Sequence, residues 1–257
     1  MTRIIRMKSW FCLCFTAAMA VVFSADAAEP VAPQEATKKE PFVNTLGMKF
    51  VPVPGTKVLF CVWETRVMDY RAYAKSVSGV NGSWEKPGFA QTEECPVVNV
   101  SWEEAQAFCA WLSKKEGGTY RLPTDLEWSK AVGLGEESGK YPAYRSDSVK
   151  VFPWGKQWPP PKKAGNYAVS VGVDSFVNTA PVGSFAANAL GIFDLSGNVW
   201  EWCEDKFDDE GVKRTKRGAG WAENTEEWVW SSRRSWGSPS DRYSTDGFRC
   251  VLVLPGK

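Results

Sequence analysis

The sequence predicts a loop-rich α+β fold, and three observations support this. The 257 residues include 14 tryptophans, 22 glycines and 16 prolines, which favours long loops held by aromatic clusters over a helical bundle. Apolar runs rich in β-branched and aromatic residues are short, as in brief strands. Helical periodicity is confined to a few segments. The 44% hydrophobic content is enough for one sizeable core, and the length permits one large domain or two smaller ones.

Composition excludes several function classes. A formal net charge of +1 with 24% charged residues gives no electrostatic basis for binding nucleic acid or an anionic membrane. The chain contains no histidine, so it can hold no Ser-His-Asp or Cys-His relay and no His-ligated zinc or iron. Any general base must be Asp, Glu, Lys, Tyr or Cys, and any metal site must use oxygen or sulfur ligands.

Residues 1–28 have the pattern of a secretory signal peptide. Three basic residues stand near the start, an uncharged and mostly apolar run covers 10–24, and small residues at 25–27 offer a cleavage site. The apolar run is too short to be a confident membrane span, and an uncleaved anchor is the alternative. We therefore expect an exported protein that is periplasmic, associated with the cell envelope, or secreted.

Residues 29–42 are rich in proline, alanine and charge, which predicts a disordered linker, with the folded domain over 43–257. The mature chain keeps an odd number of cysteines and no CxxC pair, so at least one thiol stays free or pairs with another molecule. These cysteines are Cys61, Cys95, Cys109, Cys203 and Cys250. The residues alone leave their pairing open.

The sequence of the first half of the domain predicts a strand pair and about three helices. Strands are expected over 50–54 and 57–64, separated by Pro-Gly. A helix follows, with Thr65 as its N-cap. The segments Ser101–Glu104 and Thr124–Glu127 are capping boxes that open two further helices.

The second half is expected to be mostly loop. Residues 133–187 show no long periodicity, and strands are predicted over 214–221 and 247–253. Between these strands, the polar loop 222–246 carries tryptophans and arginines on a rigid scaffold, which is typical of binding surfaces. The alternative is that the tryptophans only pin the loop.

The stretch 190–206 organises the chain. Aromatic side chains bury a turn at 196–198, and Gly197 permits a positive φ there. Such a turn can direct several carbonyls inward, and Asp194 and Glu201 add carboxylates, giving an oxygen-rich nest suited to calcium. The alternative is a buried turn whose carboxylates cap backbone N–H groups, because the spacing is not that of an EF-hand.

Eight motifs in register resemble the formylglycine-generating enzyme family, also called sulfatase-modifying factors. They are NTLGMKFV (44–51), PVVNVSWEEAQAFCAWLS (96–113), YRLPTDLEWSKAV (120–132), FPWG (152–155), GNYA (165–168), TAPVGSF (179–185), LGIFDLSGNVWEW (190–202) and DGFRCVLV (246–253). The resemblance covers nearly all of 43–253 and leaves no room for a second domain. It implies a single compact α+β domain related to C-type lectins, with little regular secondary structure.

The same resemblance implies two structural calcium sites and one disulfide. One site maps onto Asp194, Gly197, Val199 and Glu201, and the other onto Asn166, Tyr167, Asp174 and Phe176. Both sets offer only oxygen, as calcium requires. The family pairs the cysteines of its AFC and GFRC segments, which predicts a Cys109–Cys250 disulfide.

The chain departs from the family where the chemistry should occur. Family enzymes use oxygen to oxidise a cysteine of a target sulfatase to formylglycine, and two thiolates hold their cuprous copper. Soft thiolates are the ligands that Cu(I) prefers. Counting from the turn at 218–221, the two cysteine positions fall on Glu223 and Trp228. We therefore expect neither copper nor the oxidase mechanism.

Trp200, Trp221, Glu223, Trp228 and Arg234 are our candidates for the lining of the remaining cleft. An arginine flanked by tryptophans suits a peptide, a protein carboxylate or a sugar. Two hypotheses stay open: a binding or accessory module braced by calcium, or an enzyme, either of the family's type or with Glu223 or Asp246 as its base.

Overall fold

The computed structural model describes residues 31–256, so the predicted signal peptide lies outside the described residues. The strands are β1 (Phe42–Val43), β2 (Lys49–Pro52), β3 (Val58–Cys61), β4 (Thr119–Arg121), β5 (Trp200–Lys206), β6 (Arg214–Arg217), β7 (Ser235–Gly237), β8 (Asp246–Gly247) and β9 (Val251–Val253). The α-helices are α1 (Val67–Ser76), α2 (Trp102–Glu116), α3 (Asp125–Val132), α4 (Pro142–Arg145) and α5 (Glu226–Val229). Much of the remaining chain is loop, so the predicted α+β class is confirmed.

Two sheets carry the domain. The first has the order β1-β2-β3-β9-β4 and the second β7-β6-β5-β8. Strand β9, from the end of the chain, is inserted antiparallel between β3 and β4, with Phe60 and Arg121 both opposite Val251. The middle of the chain contributes β5, which pairs antiparallel with β6 and parallel with β8. The first sheet therefore cannot be completed until the end of the chain has docked.

Two of the three predicted helices, α2 and α3, begin where the sequence predicts. In α2 the Ser101 side chain accepts from Glu104 N, and Glu104 reaches back to Ser101 N at 2.8 Å. The corresponding box of Thr124 and Glu127 opens α3. Helix α1 is capped by Arg66 and not by Thr65, because Thr65 N donates instead to Phe248 O at 2.8 Å. Within 31–256, no helix has the length and apolar content required to cross a bilayer.

The structure differs from the predicted linker over its described part, 31–42. Pro33–Glu35 form a short 3-10 helix, and Ala36 is buried in the core. Lys38 Nζ donates to Ala189 O at 2.9 Å, which ties the segment to the middle of the chain. A composition poor in large apolar residues disfavours independent folding, but a proline-fixed turn with one small buried side chain can still dock on an existing domain.

The predicted strand 247–253 is broken into β8 and β9 because Arg249 turns into the core between them. Its guanidinium binds Glu201 of β5 at both oxygens, with Nε–Oε2 at 2.7 Å and Nη2–Oε1 at 2.6 Å. Both side chains are fully buried. Trp128 Nε1 donates to Glu201 Oε2 at 3.0 Å. The pair therefore links the second sheet to the segment that leads into the first.

We expect Arg249→Met to lower the free energy of unfolding by about 3–5 kcal/mol, because it leaves the Glu201 carboxylate buried without its cation. Arg242→Met is a matched control. Arg242 also binds a glutamate with two nitrogens, Glu104, but this pair is partly exposed, and its loss should cost about 0–1 kcal/mol. Urea denaturation of both variants measures the difference, and equal losses would contradict the assigned role.

Candidate functional site

The turn at 196–198 has the predicted backbone. Gly197 has a φ of +84°, and Asn198 (+65°) and Asp194 (+55°) are also left-handed. A Cβ on Gly197 would lie 2.4 Å from Asn166 O, so glycine is required for space as well as for conformation. Asn198 accepts from Ala180 N and donates to Glu64 Oε2 at 2.6 Å. The turn is thus bound on several sides by buried polar groups.

Three buried carboxylates surround this turn with one guanidinium among them. They belong to Glu64, Asp194 and Glu201, and the cation is Arg249. Burial raises the pKa of Glu64 well above its usual range, and the charges of Asp194 and Glu201 raise it further. Burial also raises the pKa of Asp194 to about 6. Three carboxyl groups therefore share one guanidinium, and the raised pKa values of Glu64 and Asp194 favour the protonated form of each.

The residues of the first predicted calcium set lie together. A Cβ atom placed on Gly218 would lie 3.8 Å from both Val199 O and Glu201 Oε1, so these two oxygens are neighbours. Gly197 N donates a hydrogen bond to Gly218 O at 2.7 Å. Arg249 Nη2 binds Glu201 Oε1 and also contacts Asp194 O at 3.3 Å. The Asp194 carboxylate is predicted to bind calcium, whereas in the structure its Oδ2 accepts a hydrogen bond from Gly183 N at 2.7 Å.

The second predicted set also converges. Asp174 accepts from Tyr167 N at 3.1 Å and from Phe176 N at 2.9 Å. Asn166 donates through Nδ2 to Asn178 O, while its Oδ1 is buried without a hydrogen-bond partner within 31–256. A buried oxygen without a donor is unfavourable unless a cation or water satisfies it. This orphaned oxygen fits the calcium ligand that the resemblance implies.

In the described residues, no group of three or more acidic or cysteine side chains is placed so that these side chains alone could hold a metal ion. Both candidate sites would therefore depend on backbone carbonyls together with one or two side chains, as calcium sites in loops commonly do. The residues of the second set fit a calcium ion, with Asn166 Oδ1 free to bind it. At the first place both oxygens of Glu201 already bind Arg249, so calcium would have to share that carboxylate with the guanidinium.

The predicted Cys109–Cys250 pair is close but is not bonded in this structure. Both are buried free thiols with their Sγ atoms 3.5 Å apart, longer than the ~2.05 Å of a disulfide. Cys61 lies directly across from Cys250, and its N–H donates to Cys250 O at 3.0 Å. The disulfide stays a prediction for the oxidised protein.

Three of the five predicted cleft residues, Trp200, Glu223 and Trp228, are in contact. Trp200 Nε1 donates to Glu223 Oε1 at 2.9 Å. The rings of Trp200 and Trp228 meet edge to face, with centroids 6.1 Å apart. Trp221 follows the 218–220 turn, and its Nε1 donates to Ser244 O at 2.9 Å. Burial raises the pKa of Glu223. The positions where family enzymes carry thiols are thus held by a hydrogen-bonded carboxyl and an indole.

Arg234 lies in the wall of the cavity beside Trp228, but its side chain is buried in an ion cluster and does not face a ligand. It binds Asp125 through Nε and Nη2, each at 3.0 Å, and Glu137 through Nη2 at 2.6 Å. Arg217 and Arg145 also bind Asp125, at 2.6 Å and 3.1 Å. These guanidinium groups outweigh the effect of burial and lower the pKa of Asp125 to about 2.

The arginine beside the cleft tryptophans is Arg233. Its guanidinium lies 4.1 Å from the centre of the Trp228 ring, and Nη1 binds Asp147 at 2.6 Å. Composition and spacing could not decide between two adjacent arginines. The distinction depends on which one faces Asp125, a contact across 109 residues of sequence.

Sequence reasoning also missed Glu64 and Arg249. Each is a charged residue inside an apolar run that was predicted to be a strand, CVWE at 61–64 and GFRC at 247–250. A charged residue within such an apolar run was the available signal. Their partners, Asn198 and Glu201, lie more than 45 residues away, at sequence separations of 134 and 48.

The fold and these contacts define a loop-rich α+β domain organised around a buried, oxygen-lined turn. A family model described as sulfatase-modifying factor enzyme 1-like domain matches residues 27–254, so the chain belongs to that family.

Three relatives illustrate the similarity. The formylglycine-generating enzyme of Thermomonospora curvata is 34% identical over 166 residues, which cover 59% of this chain and 46% of that protein. Inactive C-alpha-formylglycine-generating enzyme 2 of Bos taurus is 31% identical over 184 residues, which cover 65% of this chain and 55% of that protein. The structure of PvdO from Pseudomonas aeruginosa superimposes with a TM-score of 0.60 and 27% identity, covering 77% of this chain and 80% of that one. The chain spans about half the length of these two curated relatives.

The Asp125 cluster predicts a loss of stability in acid. Its folded-state pKa of about 2 lies below the ordinary 3.8, so its contribution is present above about pH 4 and is lost as the pH falls toward 2. The expected loss is roughly 2 kcal/mol. Asp125→Asn should unfold with a shallower dependence on pH over this window in urea denaturation. A slope equal to that of the wild type would show that Asp125 is not the group responsible.

Proposed function

We propose that this protein is an exported binding or accessory module of the sulfatase-modifying factor family, braced by calcium and without copper-dependent cysteine oxidation. The observation that carries this proposal is the pair of contacts made by Trp200, which binds Glu223 through a hydrogen bond and Trp228 through its ring edge. These are the two positions at which family enzymes hold copper with thiols.

Neither residue fits cuprous copper. An indole offers an N–H donor and no lone pair in the plane of the ring, and a carboxylate is a hard ligand. The five described cysteines are buried in two core clusters, whereas Trp200 belongs to a third. The thiols therefore do not substitute for the two missing ligands beside Trp200.

A second candidate, an enzyme that uses a carboxylate base, is favoured by one observation. Burial raises the pKa of Glu223, which moves it toward the range useful for proton transfer. Asp246 is less available as a base, because Lys216 Nζ binds it at 2.7 Å in a buried pair. Turnover of a bound ligand that disappears in Glu223→Gln, with binding retained, would favour this candidate over the module.

We expect the mature protein, incubated with copper, oxygen and a sulfatase-motif peptide, to form no aldehyde. The physical reason is the absence of two thiolates at positions 223 and 228. Formation of the aldehyde is measured by mass spectrometry after capture with a hydrazide. The enzyme from Thermomonospora curvata is the positive control, and a sample without protein sets the background. Aldehyde formation above that background would overturn the proposal.

Calcium binding makes a separate prediction about stability. A ligand that binds only the folded state at 100 times its Kd stabilises it by about 2.7 kcal/mol. We expect calcium to raise the melting temperature of chelator-treated protein and Asp174→Asn to reduce this rise. Asp208→Asn is the matched control, because Asp208 also accepts a backbone hydrogen bond in a loop, from Gly211 N, but belongs to neither predicted set. An unchanged melting temperature on adding calcium would count against both sites.

A further inference from the structure

We infer that Arg233, Trp228 and Trp236 form a docking groove for an extended peptide segment that carries an acidic side chain. This inference rests on the proposed function as a binding module and names the ligand class. The groove, as we call it, encloses a cavity of about 270 Å³. Its walls include Ser146, Asp147, Phe207, Trp228, Arg233 and Trp236.

The first support is the free Nη2 of the Arg233 guanidinium. Nη1 binds Asp147 at 2.6 Å. Nε is buried, so a ligand cannot reach it from solvent, but within residues 31–256 no hydrogen bond from Nη2 is present. Nη2 can therefore donate a charge-assisted hydrogen bond to a carboxylate. Side-chain exposure of 24% shows that Arg233 is accessible from solvent.

The second support is a pair of exposed indoles on the two sides of the cavity. Trp228 is 38% exposed and Trp236 47% exposed. A cation lies over each ring, Arg233 over Trp228 at 4.1 Å and Lys213 over Trp236 at 4.0 Å. Large aromatic side chains together with arginine are the residues that most often dominate binding at protein interfaces.

The third support is an edge strand at the groove. Strand β7 pairs with β6 on one side and is the outermost strand of its sheet. In the described part of the chain, residues 235–237 make no backbone–backbone hydrogen bond other than those to β6. The segment at 146–151 contacts 231–234 instead, for example through Asp147 N to Ser232 O at 3.2 Å. An extended peptide could therefore continue along β7 by strand addition.

Charge and size favour a peptide over a sugar. Each indole already has a cation on one face, which leaves less ring surface for stacking of a pyranose. The two cations attract a negative group, and their present partners are limited to Asp147 and, at 4.0 Å, Asp208. A cavity of about 270 Å³ lies below the ~300–1,000 Å³ of pockets for drug-sized ligands, so it suits a side chain better than a whole small molecule.

The test is selection from a phage-displayed library of random dodecapeptides against the mature protein. We expect the selected pool to be enriched in Asp and Glu. A synthetic peptide from the pool should bind Arg233→Gln at least about tenfold more weakly than the wild type. Arg233→Lys, which keeps the charge but replaces the planar guanidinium with an ammonium group, should fall between the two. Trp236→Ala should also weaken binding and, as an exposed residue, should leave the fold intact.

Arg71→Gln is the matched control, because Arg71 also lies over a tryptophan, Trp84, and binds a glutamate, Glu93, but does not line the groove. Its affinity for the peptide should equal that of the wild type. Thermal melting checks that each variant is folded.

A pool without acidic enrichment, or equal binding by Arg233→Gln, would refute the groove. Binding of oligosaccharides on a glycan array that needs Trp236 and not Arg233 would replace the peptide with a sugar. Aldehyde formation is assayed separately, so failure of this inference is distinguishable from failure of the proposed function.

Discussion

The buried Glu201–Arg249 pair is the interaction on which the rest of this structure depends. It joins β5, in the second sheet, to the residue that leads from β8 into β9, in the first. Arg249 also donates to Cys61 O and Phe193 O. A buried pair is tolerated only when its remaining hydrogen-bonding capacity is satisfied, and Trp128 and these carbonyls do that. The middle and the end of the chain are therefore fixed by the same contact.

A second buried cluster fixes the loops in the second half of the chain. Asp125, at the start of α3, binds Arg145, Arg217 and Arg234, which come from three separate segments. With so little regular secondary structure, long loops cannot satisfy their polar groups through strand and helix ladders. Carboxylate–guanidinium pairs at the ends of short elements replace part of that network. This explains why a loop-rich chain can have a well-defined cleft.

Local features of the sequence predicted local features of the structure. The capping boxes at Ser101 and Thr124 and the left-handed Gly197 depend on neighbours within a few residues, so their pattern is visible in the sequence. The exchange of roles between Arg233 and Arg234, and the pairing of Arg249, depend on contacts across dozens of residues. Docking of 31–42 was missed for the same reason, because its composition carries no information about the surface that receives it.

The cleft shows how the scaffold is completed without thiols at positions 223 and 228. A thiol pair at positions 223 and 228 would place two soft metal ligands beside Trp200. Glu223 instead accepts a hydrogen bond from Trp200 Nε1. Trp228 packs edge to face against the Trp200 ring and lies under the Arg233 guanidinium. The loop is therefore stabilised from within the chain. Because Arg233 lies over the Trp228 ring, the residue at the second of these positions also holds a cation at the wall of the groove.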